Sequence, residues 1–140
     1  MNRHAGKLLL GVTVTLIVLA TVLAYAHALP TRMLAIPGFD KVLHFTLFGM
    51  LTLSLLLTWG DRRYTLAGLR IPLVVVLPLF FAAIEEGLQG LSPYRQMDIW
   101  DLACDAAGML TFWWVAHRWP IVRAKAAGPT NRVSTEPPAP

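Results

Sequence analysis

His44, Glu86, Asp98, Asp101 and Asp105 stand in or beside otherwise apolar runs, where an ionisable side chain needs a reason. Imidazole titrates near neutral pH, so His44 suits general acid/base work, and Glu86 is its natural counterpart. Lys41 and Arg95 offer an ammonium and a guanidinium matched to phosphate or carboxylate oxygens. Asp98, Asp101 and Asp105 add carboxylates that orient those groups or take Mg²⁺ or Ca²⁺ in preference to zinc, and Asp40 and Gln89 join them as ligand-binding candidates. Such a divalent metal is compatible with the set, but no cofactor is required by it.

Spacing supports one shared site. Residues three, four and seven apart lie on one helix face. Lys41 and His44 are at i and i+3, as are Glu86 and Gln89, while Asp98, Asp101 and Asp105 are at i, i+3 and i+7. Each segment therefore aims its polar groups along one stripe. An ionised residue facing lipid costs roughly 2.5–3.5 kcal/mol on insertion scales, so inward-facing, mutually neutralising stripes are expected.

The elements carrying these stripes are membrane spans. The 140 residues are 56% hydrophobic and 14% charged, too little polar material to coat a small soluble domain. Mean hydropathy is +0.56, and the apolar residues come in runs near the length that crosses a hydrocarbon core, about 20 residues for roughly 30 Å. The runs predict an all-α integral membrane four-helix bundle with spans at about 8–29, 42–59, 69–91 and 98–119, forming one transmembrane domain over 1–119. A kink is expected near Pro78, and residues 120–140 read as a disordered cytoplasmic tail. A cleaved signal peptide competes for the first run, since Arg3 and Lys7 precede it and Ala26-His27-Ala28 resembles a cleavage site. Its length and the spans that follow favour an uncleaved helix.

Net charge of +4 and pI near 9.7 do not indicate nucleic acid, because the basic residues flank apolar runs instead of interleaving with aromatics. Cys104 lies inside an apolar run and has no intrachain partner for a disulfide. Arg3, Lys7, Arg62, Arg63, Arg70, Arg118, Arg123, Lys125 and Arg132 fall on one side of the spans. Arg32, Lys41 and Arg95 fall on the other. This bias places both termini in the cytoplasm of a multi-pass inner (plasma) membrane protein and turns every polar stripe toward the outer side.

The ordered set Asp40-Lys41-x-x-His44-Phe45-x-x-Phe48, Glu86-x-x-Gln89, Pro93-x-Arg95-x-x-Asp98-x-x-Asp101 and Gly108 resembles the VanZ-like membrane proteins, over roughly residues 30 to 115. Asp105 departs from the pattern, which usually has asparagine there. The resemblance implies four helices and an association with teicoplanin resistance in the founding member, without a settled biochemical activity. The expected function is thus an envelope-associated protein whose outward-facing site binds an anionic or lipid-linked ligand and modifies glycopeptide susceptibility. Two alternatives compete: a non-enzymatic scaffold whose polar network holds the bundle and a partner, and a small ion- or drug-coupled transporter. Structural readings compete residue by residue as well. Asp98 suits a helix N-cap, Glu86 and Gln89 suit interhelical hydrogen bonds, and Arg95 suits a lipid headgroup. Gly49, Gly87 and Gly108 suit close helix contact.

Overall fold

A computed structural model describes residues 3–26, 28, 36–91 and 97–118. They form α1 (Arg3–Tyr25), α2 (Phe39–Trp59), strands β1 (Arg63–Leu66) and β2 (Leu69–Pro72), α3 (Leu73–Gln89) and α4 (Ile99–Arg118). α1 and α2 are long and apolar enough to cross a membrane. Pro30, Arg32, Arg95 and the tail from residue 120 onward lie outside the described residues.

The third apolar run does not become one helix over 69–91. Its first four residues are a strand paired antiparallel with β1, so the all-α expectation is corrected to four helices and a hairpin. The local chemistry explains the change. Ala67 and Gly68 both have positive φ, 50° and 81°, the backbone of a tight two-residue hairpin turn. Pro72, with φ −73°, sits at the end of the ladder, where its missing N–H costs no central hydrogen bond, and it hands the chain to α3. The 17 residues of α3 then reach about 26 Å at 1.5 Å each, a few ångströms short of a hydrocarbon core of roughly 30 Å. Pro78 is buried inside α3, which continues through it.

α2 and α4 are the closest pair, and they run parallel. α1 packs on α2, while α3 packs mainly on α4. Two glycines set the separation. A Cβ on Gly108 would fall 2.1 Å from the Phe45 carbonyl oxygen, and one on Gly49 would fall 2.5 Å from the Phe112 ring. The helix backbones therefore meet at van der Waals distance, as small residues allow in a membrane bundle. Gly87 has nothing within 4 Å of an added Cβ and plays no such part. Below this crossing the core closes over Leu55, Leu56, Val74, Val75, Ala82, Met109 and Ala116.

Candidate functional site

The parallel arrangement of α2 and α4 lays their polar stripes side by side. On α2, Asp40, Lys41 and His44 descend from the helix start; opposite them descend Asp98, Asp101 and Asp105 of α4 and its lead-in. Lys41 Nζ donates to Asp98 Oδ2 at 2.9 Å, to Asp101 Oδ1 at 3.0 Å and to Asp40 Oδ2 at 3.3 Å. One step deeper, His44 Nδ1 and Asp105 Oδ1 share a proton across 2.9 Å. His44 Nε2 faces Asp101 Oδ2 at 3.8 Å, beyond hydrogen-bond reach. Side-chain exposure falls from 48% at Asp40 to 9% at Asp101 and 4% at Asp105. The result is a ladder open at one end and sealed by the apolar core at the other.

α3 completes the mouth. Glu86, buried, accepts the backbone N–H of Asp98 and so pins the start of α4. Gln89 Nε2 donates to Glu85 Oε2 at 2.6 Å, one turn back on the same helix. Asp98 caps α4, its Oδ1 accepting the Trp100 N–H at 2.9 Å.

Of the residues singled out by sequence, Asp40, Lys41, His44, Glu86, Gln89, Asp98, Asp101 and Asp105 all gather at this end; Arg95 lies outside the described residues. One pairing differs from that expected, while Lys41 faces the carboxylates as mutually neutralising stripes require. His44 is bonded to Asp105 and not to Glu86, because parallel helices place residue 44 level with residue 105. The three Lys41 protons are all taken by carboxylates, so an anion reaches that ammonium only by displacing one of them. Among the described residues, no group of three His, Cys, Asp or Glu is placed to hold a metal ion. Of the aspartates that could suit Mg²⁺ or Ca²⁺, Asp98 and Asp101 engage the Lys41 ammonium together with Asp40, and Asp105 engages His44.

With that geometry in hand, the comparison with known families is decisive. The VanZ/LLP1 family profile matches residues 2–122. The chain belongs to the VanZ/LLP1 family. No curated protein and no solved structure matches it. Family membership and two membrane-length apolar helices together make this VanZ/LLP1 chain a membrane protein.

A second polar group, missed in the sequence, sits at the opposite end. Asp61, in the link after α2, accepts from Arg63 Nε at 2.7 Å and from Trp113 Nε1 at 3.4 Å, and its Oδ2 lies 2.9 Å from His117 Nε2. The Arg63 guanidinium also lies 5.4 Å from the centre of the Trp113 ring. The signal available was an acidic residue among arginines, which reads as an ordinary loop until His117 is known to lie beside it. Burial works against the Asp61 charge, but hydrogen bonds from Arg63, His117 and Trp113 outweigh it and hold its pKa below the usual 3.8. A depressed folded-state pKa contributes stability that is fully present above the unfolded value and is lost as pH falls through the folded one. Amide exchange in β1 and β2 is therefore expected to accelerate only below about pH 3.8 in the native protein. In Asp61→Asn that acid-side step should disappear, with exchange already raised at neutral pH; a step that persists unchanged would show that another carboxylate holds the link.

Proposed function

We propose that this VanZ/LLP1 protein crosses the inner (plasma) membrane four times, with both termini in the cytoplasm. Its polar ladder opens on the outer face to an anionic, lipid-linked ligand of the cell envelope. The orientation is supported by Lys7, Arg62, Arg63, Arg70 and Arg118 at the end away from the ladder, since basic residues favour the cytoplasmic side. The observation that carries the site is the His44–Asp105 pair at the buried end of a ladder whose side chains grow less exposed with depth. Asp105 fixes the imidazole and holds one proton at Nδ1, leaving Nε2 to take a proton from the ligand or give one back. Lys41 neutralises the acidic walls, Glu86 and Asp98 hold α4 in place, and Arg95 in the outer loop meets the ligand's negative charge. Through such a ligand the protein modifies glycopeptide susceptibility, as the resemblance to the teicoplanin-associated founding member implies.

The test is a pair of substitutions, His44→Gln and Arg95→Ala, compared at matched membrane levels. Native mass spectrometry of the purified protein should show loss of retained envelope lipid in both variants, and teicoplanin susceptibility of the host should return to that of cells without the protein. Wild-type behaviour in both variants removes this reading. One observation favours a second reading, a non-enzymatic scaffold: every Lys41 proton is already engaged inside the bundle. A scaffold retains a co-purifying protein partner in both variants and no lipid in either the variants or the parent.

A further inference from the structure

We propose that the β1–β2 hairpin is an amphipathic anchor that binds anionic phospholipid at the basic end of the bundle. The register divides its side chains by chemistry. Tyr64 pairs with Ile71 and Leu66 with Leu69, which puts four apolar residues on one face; Thr65 pairs with Arg70 and Arg63 with Pro72 on the other. The apolar face has no protein cover over most of its length: Tyr64 is 59% exposed, Leu66 56% and Leu69 69%. A two-stranded hairpin is marginal in water, and one that leaves such a face open needs an apolar medium beside it.

That medium is adjacent. β2 runs directly into α3, a helix too short to fill the hydrocarbon core alone, so the hairpin lies at the boundary between acyl chains and headgroups. There the unpaired outer edges of both strands still reach water, as open sheet edges require. The hairpin's base is fixed to the bundle. Leu73 N donates to Arg62 O at 2.9 Å, and Asp61 ties the preceding link to His117 of α4. Its apolar face therefore holds one orientation relative to the helices.

Charge selects the headgroup. Arg63 is engaged by Asp61, whereas the side chains of Arg62 and Arg70 are exposed and make no hydrogen bond or ion pair among the described residues. Arg118 and Lys7 add to the same end: α1 begins there, Gly6 lying against Leu57 and Thr58 at the close of α2. Asp61 is the acidic residue opposing them, and its charge is already spent on Arg63 and His117. A guanidinium surface at headgroup level matches phosphate oxygens and favours anionic over zwitterionic lipid. This inference rests on membrane insertion of the chain, and it stands or falls apart from the ligand read at the other end.

The test uses the full chain, with Leu66→Cys in a Cys104→Ser background labelled with an environment-sensitive fluorophore. The protein is reconstituted in phosphatidylcholine alone or mixed with phosphatidylglycerol. The label should blue-shift and be quenched by acyl-brominated lipid as phosphatidylglycerol is added. Arg62→Gln with Arg70→Gln should weaken that preference by roughly fivefold per residue, about thirtyfold together. The Arg62→Lys, Arg70→Lys pair should keep most of the preference, which separates lost charge from lost folding. Inorganic phosphate should not compete. The proposal is overturned if emission ignores lipid composition and the arginine variants, if inorganic phosphate abolishes the shift, or if the unlabelled Leu66→Cys protein, treated with a thiol oxidant, is joined to a second copy of the chain by a disulfide at that position.

Discussion

Gly108→Ala should force α2 and α4 apart, because the added methyl carbon would lie 2.1 Å from the Phe45 carbonyl oxygen and 2.9 Å from its Cα. These are backbone atoms, which cannot swing aside as a side-chain tip does. Overpacking of this kind costs about 1–3 kcal/mol, and here it falls one residue below the level at which His44 reaches Asp105. The expected result is a lower unfolding midpoint in detergent together with loss of retained ligand. Gly87→Ala is the matching control, since that position is open; it should leave both unchanged, or gain up to roughly 1 kcal/mol from helix propensity. Equal midpoints for the two variants would mean that α2 and α4 do not meet at Gly108.

The second large effect concerns Asp105. Asp105→Ala leaves the His44 Nδ1 position without its partner, at a level where Asp105 itself is 3% exposed. An unsatisfied buried polar group costs about 1–3 kcal/mol, and the missing carboxylate adds a small void. Asp105→Asn is the informative contrast. Its amide oxygen still accepts from Nδ1, so stability should stay within about 1 kcal/mol of the parent. Only the negative charge beside the imidazole is lost, so ligand retention should fall although the fold holds. Unfolding midpoints in detergent, read beside ligand retention by native mass spectrometry, separate the cases. If the asparagine variant is as unstable as the alanine variant, the pair is an ion pair and not the hydrogen bond drawn here.

Much of the ladder was legible in the sequence because depth is encoded by distance along a helix. Once α2, α3 and α4 were placed, Lys41 and His44, Glu86 and Gln89, and Asp98, Asp101 and Asp105 had to arrive at one end. What periodicity could not supply was the rotation and pairing of parallel neighbours. Spacing alone leaves Glu86 as the counterpart of His44, whereas the close approach at Gly108 delivers His44 to Asp105. Glycine was legible as a small residue, but whether it faces a neighbour was not, and Gly49 and Gly87 look alike until Phe112 is placed. The hairpin was hidden for a different reason. Leu69 and Ile71 extend the apolar run that becomes α3, and hydropathy alone does not mark where helix begins. Alternation across Tyr64, Leu66, Leu69 and Ile71, interrupted by Ala67 and Gly68, was the cue, and a two-residue turn with Gly second was its punctuation. The Asp61 link joins positions more than fifty residues apart, which no local pattern reveals.

The most direct test of the account is which side of the membrane the ladder opens on. Single cysteines, Asp40→Cys at the mouth and Arg62→Cys at the basic end, are placed in a Cys104→Ser background, both at exposed positions. Intact cells are then treated with a membrane-impermeant thiol reagent. The account predicts that the variant at position 40 is labelled at once and the variant at position 62 only after the cells are permeabilised. The reverse pattern would turn the ladder toward the cytoplasm and leave it without access to an envelope ligand.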